Sequence, residues 1–278
     1  MHNLLSAGFS RLWKNKLFLC SLVLMPATIV TIMLNQHTTW KEYGGVSAGL
    51  DTFLPGCFLF IGCFAAVFSA LFLGTEYSDG VIRNKLIAGH SRDAVYLSSL
   101  CCCIVFSLLV CAASVVCVFI AGVPLYGLSG DWLTLFKRFG CGILLIVSFS
   151  ALFTLPAMLL QNKAVLSVFN TICFFGLLFA AIYVMARLEA KEFLDSSYAF
   201  MLDGEYIPGE SIPNPGYLRG TTRTIFEFLG EFLPTGQSFH ISQMLVLSHP
   251  LRLCLYSLTV TVLTTAAGLF AFRRKDIN

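Results

Sequence analysis

At 278 residues the chain is long enough for one or two water-soluble domains, but its composition excludes them. Apolar residues make up 57% and charged residues 12%, with 26 Phe and a mean hydropathy of +0.80, against about 45–50% and 25% in a globular protein. So few ionisable side chains cannot cover that much apolar surface, so lipid is the solvent for most of the chain, and the net charge of +3 is too small to imply a nucleic-acid partner.

The first element is a short helix over residues 1–16. Leu4, Leu5, Gly8, Phe9, Leu12 and Trp13 repeat at helical spacing, with Ser6, Ser10, Arg11 and Lys14 on the other face. That pattern predicts a helix in the membrane interface, Trp13 at headgroup depth and the basic side chains snorkelling. Six uncharged windows follow, giving spans at about 17–34, 53–74, 95–122, 139–160, 165–186 and 253–272. Each holds the roughly 20 residues that a helix needs to cross the hydrocarbon. Asn35-Gln36-His37 after the first span lacks a small-residue cleavage site, so that span reads as uncleaved. Pro124 and the Gly-rich stretch after it keep the long third window to a single span. The fold class expected is an all-α membrane protein, a single transmembrane domain over residues 1–278.

With six spans both chain ends share a side. That side carries Arg11, Lys14, Lys16, Arg83, Lys85, Arg92, Lys163, Arg273, Arg274 and Lys275, and the opposite short loops only Lys41, Lys137 and Arg138. The positive-inside rule therefore puts both termini in the cytoplasm. The segment 187–252 is then extracellular. Pro208, Pro213 and Pro215 make its middle irregular. Ile225, Phe228, Leu229 and Phe232 form an amphipathic helix that Pro234-Thr235-Gly236 breaks, and a second helix runs through Ile241, Met244 and Leu245. These helices either lie on the membrane surface or re-enter it.

Within the second span two stripes recur every four residues: small Gly62, Ala66, Ala70 and Gly74, and aromatic Phe60, Phe64, Phe68 and Phe72. The small stripe suits close helix packing. The aromatic stripe either packs or faces lipid as structure, or walls a cavity for an apolar substrate. Ser99, Cys103, Ser107 and Cys111 on the third span, and Ser257, Thr261, Thr264 and Gly268 on the sixth, are packing faces. Asn170 is an intramembrane amide expected to bond a neighbouring helix. No Asp, Glu, Lys or Arg occupies a span centre, which argues against an ion-coupled pump. All 11 Cys fall in or beside apolar runs and none in the polar stretch 187–252, so they read as small apolar residues rather than a disulfide framework or a metal site.

The loop between the second and third spans, residues 75–94, is unusually polar. Ser78 or Asp79 is placed to cap a short helix opened by Gly80 and closed by Gly89, with Val81, Ile82, Leu86 and Ile87 on one side and Asp79 paired with Arg83. The run Glu76, Asp79-Gly80-Val81-Ile82-Arg83, Lys85-Leu86-Ile87 and Gly89-His90-Ser91-Arg92 resembles the loop between the second and third helices of ABC type-2 permeases, membrane subunits of bacterial ABC exporters. It departs at Val81, where Thr is usual. Leu233-Pro234-Thr235-Gly236-Gln237 and the whole six-span plan fit the same family.

The resemblance implies that this loop is a coupling helix docked on an ATPase, with Glu76, Tyr77, Asp79, Arg83, Asn84, Lys85, Leu86, His90 and Arg92 as coupling residues. Among these, Glu76, Arg83, Lys85 and Arg92 are expected to make the salt-sensitive contacts. It also implies two ABC ATPase copies as partners, a second permease chain identical or homologous to this one, and contact with membrane lipids of a bacterial plasma membrane. The Phe stripe would then line the cavity of an exporter of antimicrobial peptides, lipids or drugs. No G-x-x-x-x-G-K-[ST] loop occurs, so ATP and Mg are expected on the partner, with no catalytic residue, metal or cofactor in this chain. Two other classes compete: an intramembrane protease, for which no HExxH or paired-glutamate signature is present, and a channel or peptide sensor without ATP coupling.

Overall fold

The computed structural model describes residues 2–44, 49–128, 131–194, 200–202, 205–207, 212–242, 247 and 249–276. Six helices in it are long and apolar enough to cross a membrane. Helix α1 (His2–Trp13) precedes the first of them, α2 (Lys16–Tyr43). The second is composite: α3 (Leu50–Phe53), a 3-10 turn (Leu54–Gly56) and α4 (Cys57–Ser78). Then come the short α5 (Val81–Ile87) and the long helices α6 (Arg92–Tyr126), α7 (Trp132–Leu159) and α8 (Lys163–Leu188). Helices α9 (Gly220–Phe232) and α10 (Pro234–Ile241) precede the last long helix, α11 (Pro250–Arg274).

Short polar side chains set where these helices begin. Asn15 accepts from Leu17 N at 2.8 Å, Ser91 from Ala94 N at 3.3 Å, Asp131 from Leu133 N at 3.1 Å and Asn162 from Ala164 N at 2.9 Å, each satisfying an orphan donor of the first turn. Pro26, Pro124 and Pro156 sit inside continuous helices. The helices overrun the uncharged windows: α7 begins at Trp132, so Arg138, expected in a short loop, lies inside a helix and is 6% exposed. It donates to the carbonyls of His240 and Ile241 at 2.6 and 3.1 Å, closing the C-terminal end of α10.

Helix α4 is central, packing against α7 and α8 on one side and α2 and α6 on the other; α11 lies along α7. The approach is close because side chains are missing where it matters. A methyl at Gly62 would stand 2.8 Å from both the Phe149 and Phe174 rings, and one at Gly142 only 2.2 Å from the Phe58 ring. Asn170, fully buried on α8, donates to Ala66 O at 3.2 Å and Ser69 Oγ at 3.1 Å on α4. Cys57 and Cys111 lie 3.0 Å apart as free thiols.

Between α8 and α11 the described residues form two short strand pairs and two helices. Strand β1 (Phe193–Leu194) pairs antiparallel with β4 (Ile212–Pro213), and β2 (Phe200–Leu202) with β3 (Glu205–Ile207). Pro208 lies outside the described residues, as do Met244 and Leu245. Pro234 starts a helix where a break over three residues was expected; only Leu233, at ψ 128°, interrupts the path from α9 to α10. Proline suits a first helical position, where its missing N–H costs nothing. This turn runs deep into the bundle. Thr235 donates to Leu177 O at 2.8 Å, and Leu177 is eleven residues before the end of α8, about 16 Å at 1.5 Å per residue. Buried Gln237 accepts from Ser257 Oγ of α11 at 2.6 Å.

Candidate functional site

At the end of the bundle that carries both chain termini, α1, α4 and α5 converge on Glu76. Its carboxylate is 1% exposed. Arg11 Nη1 of α1 reaches Oε1 at 2.9 Å and Lys85 Nζ of α5 reaches Oε2 at 2.8 Å. A carboxylate out of water is tolerable only with its oxygens satisfied by charge-assisted bonds, and two cations from two other helices do this. Gly80 makes the reversal from α4 into α5 possible, since its φ of 67° is open to glycine at little cost. Neither Ser78 nor Asp79 caps α5, which has no side-chain cap. The left-handed turn also separates Asp79 from Arg83, and no ion pair joins them among the described residues.

Two further braces tie this corner to the end of α11. Arg92 donates to the carbonyls of Phe272 at 3.0 Å and Arg273 at 3.2 Å, and also to that of Lys275. These are orphan acceptors of a helix C-terminus, where a cation is favoured. Asp93 holds the Arg273 guanidinium in a fork at 2.7 and 2.5 Å. Lys275 Nζ lies 3.0 Å from Tyr77 Oη, 3.2 Å from Met158 O and 4.2 Å from the Tyr77 ring centre, while the Tyr77 hydroxyl itself donates to Met158 O. Burial pushes the Lys275 ammonium down to about 8.

The nine expected coupling residues therefore divide. Glu76, Lys85 and Arg92, expected at the partner contact, each make contacts within the chain, as does Tyr77. Asp79, Arg83 and Asn84 are exposed, and Leu86 and His90 half-buried. Ile82 is fully buried whereas Ile87, placed with it on one side by the sequence, is 75% exposed. A cleft of about 320 Å³ between α1 and α5 is lined by Arg11, Asn84, Lys85 and His90. Helix α1 does not present its whole apolar face to lipid: Leu4, Gly8 and Leu12 are buried, Gly8 against Cys102 of α6, and Trp13 alone of the named apolar residues is strongly exposed.

The aromatic stripe divides as well. Phe68 and Phe72 are buried, Phe68 stacking between Phe72 and Phe106. Phe60 and Phe64 are half-buried and open onto clefts of about 270 and 180 Å³ beside α2. Of the small stripe, Gly62, Ala66, Ala70 and Gly74 are all buried, with Gly74 against Lys163. Arg11, Asp93, Arg273 and Lys275 were missed as members of the corner, because their partners are 65 to 198 positions away. A buried acid at a span end beside surplus basic residues was the available signal. Among the described residues no group of His, Cys, Asp and Glu is placed to hold a metal.

A family model for ABC-2 family transporter proteins matches residues 4–201. The match takes in Arg11, Glu76 and Lys85 and five of the six long helices, leaving α9, α10 and α11 beyond it. The chain belongs to the ABC-2 transporter family: it is a multi-pass membrane protein and a transport component, of a kind that is generally non-catalytic and works with ABC ATPase subunits. No curated protein matches the chain.

Proposed function

We propose that this chain is the permease subunit of an ATP-driven exporter in a bacterial plasma membrane, working with two copies of a separate ABC ATPase that carries ATP and Mg, and with a second permease chain, identical or homologous. The ten-to-three bias of Lys and Arg supports a cytoplasmic location for both termini and α5. The observation that carries the reading is the junction at Glu76. A push on the exposed side of α5 passes through Lys85 into α4 and on through Arg11 into α1, and Arg92 and Asp93 pass it to α11. Ile87, Arg83, Asn84 and Asp79 then face the ATPase, an apolar anchor among polar groups as a docking surface requires. Cargo is amphipathic or apolar, in the class of antimicrobial peptides, lipids or drugs, and meets the chain at Phe60 and Phe64.

The test is purification of the tagged chain from its native membrane, followed by reconstitution. An ABC ATPase copurifies, export of a labelled amphipathic probe requires ATP, and Arg83→Glu with Ile87→Asp weakens ATPase retention about ten-fold or more while the melting temperature stays put. A particle fully competent with no ATPase bound sinks the proposal.

A further inference from the structure

At the opposite end of the bundle a pocket of about 470 Å³ opens between α9 and α11, beside Leu188 at the end of α8. Glu227, Glu231 and Phe228 form its α9 wall, and His249, Arg252 and Tyr256 its α11 wall. Phe228 meets Tyr256 edge-on at 5.6 Å, giving the pocket an aromatic floor.

The charges here are placed against the helix dipoles. Glu227 and Glu231 sit in the last turn and a half of α9, whose last turn has no basic residue, although the carbonyl end of a helix disfavours anions. Arg252 is the third residue of α11, whose first turn has no acidic residue and whose N-terminus has no side-chain cap, although the N–H end disfavours cations. Arg223 neutralises Glu227 at 3.0 Å. The side chains of Glu231 and Arg252 have no hydrogen-bond or ion-pair partner among the described residues. A molecule with a cationic amine at the α9 wall and an anion at the α11 wall would correct both misplacements at once.

The surroundings say what else the molecule carries. Leu251, Leu255, Leu258 and Val262 make one exposed apolar stripe on α11, immediately beside the stripe that holds Arg252 and Tyr256. On α9 Ile225 and Phe228 are exposed too. A ligand with its polar head in the pocket therefore has an apolar path for its tails along α11. We infer that this pocket is a specific site for an amine-bearing zwitterionic phospholipid, its phosphate on Arg252 and its ammonium on Glu231. The inference uses only the chain's membrane location and does not depend on the transport reading.

Native mass spectrometry of the detergent-purified protein, with added phosphatidylethanolamine, phosphatidylcholine or phosphatidylglycerol, tests it. Phosphatidylethanolamine should be retained about ten-fold over the other two, because phosphatidylcholine has no N–H to donate and phosphatidylglycerol no cation, each losing one charge-assisted bond. Glu231→Gln should abolish the preference, Arg252→Gln should lower retention of all three lipids alike, since each carries the phosphate, and Arg252→Lys should keep most of that retention; all three variants should melt as the parent does. Equal retention of the three lipids by the parent, an undiminished preference in Glu231→Gln, undiminished retention in Arg252→Gln, or a loss in Arg252→Lys as large as in Arg252→Gln would overturn the inference.

Discussion

Arg92, the first residue of α6, donates to the carbonyl of Phe272 near the end of α11, 3.0 Å away and 180 positions along the chain. With the Asp93–Arg273 fork and the Lys275 contacts beside it, the last residues of α11 become part of the same corner as Glu76.

Lys275 gives that corner a dependence on pH. Burial lowers its ammonium to about 8, whereas an unfolded chain would hold the proton to about 10.4. Between those values the unfolded state binds more protons than the folded one, so this residue's contribution to stability rises with pH through the window and is at its least below pH 8. Melting curves in detergent between pH 7.5 and 10 should show this component, and Lys275→Met should remove it. A slope identical in the variant would contradict the assignment.

Glu76 should be the most sensitive charged position. Glu76→Gln leaves the largely enclosed Lys85 opposite a neutral amide, and stranding one member of a buried pair costs up to about 3–5 kcal/mol. Arg11 is 35% exposed, and Lys85 still neutralises the acid without it, so Arg11→Gln should cost no more than about 1 kcal/mol. Equal losses in equilibrium unfolding would mean that Arg11, and not Lys85, carries the stabilisation of the acid.

The close approach of α4 and α7 is checked by two neighbouring glycines. Gly142→Ala drives a methyl into the Phe58 ring and should destabilise by about 1–3 kcal/mol. At Gly140 an added methyl meets nothing within 4 Å, so Gly140→Ala should be neutral or gain about 0.5–1 kcal/mol from helix propensity. Thermal unfolding that ranks the two the other way would reject this packing.

Asn170 tests the polar seam between α4 and α8. Asn170→Leu removes its bonds to Ala66 O and Ser69 Oγ, and interhelical bonds in membranes are each worth about 0.6 kcal/mol and at most about 1.7. A loss in that range, measured by steric trapping or denaturant unfolding, is expected; a gain in stability would show the amide to be there for something other than packing.

Much of the architecture was legible in the sequence because a membrane writes it in blunt terms. Six uncharged windows became six long helices, since a lipid-exposed backbone has almost no alternative. The Glu76 motif lies where α1, α4 and α5 meet, but periodicity could not say that Glu76, Lys85 and Arg92 point inward while Ile87 points out. Those orientations follow from partners on α1 and α11 and from a left-handed Gly80 that resets the helical phase. The Phe stripe misled in a similar way. A four-residue repeat drifts around a 3.6-residue helix, so Phe60 and Phe64 open onto clefts while Phe68 and Phe72 are enclosed.

The ion pair between Arg11 and Glu76 has a consequence for biogenesis. Helix α1 is synthesised before its seat, which is built from α5, the end of α4 and Cys102 of α6. A ribosome must therefore deliver some ninety further residues before the N-terminal helix has anywhere to dock. Until then its apolar face belongs to the bilayer surface, and only afterwards to the protein.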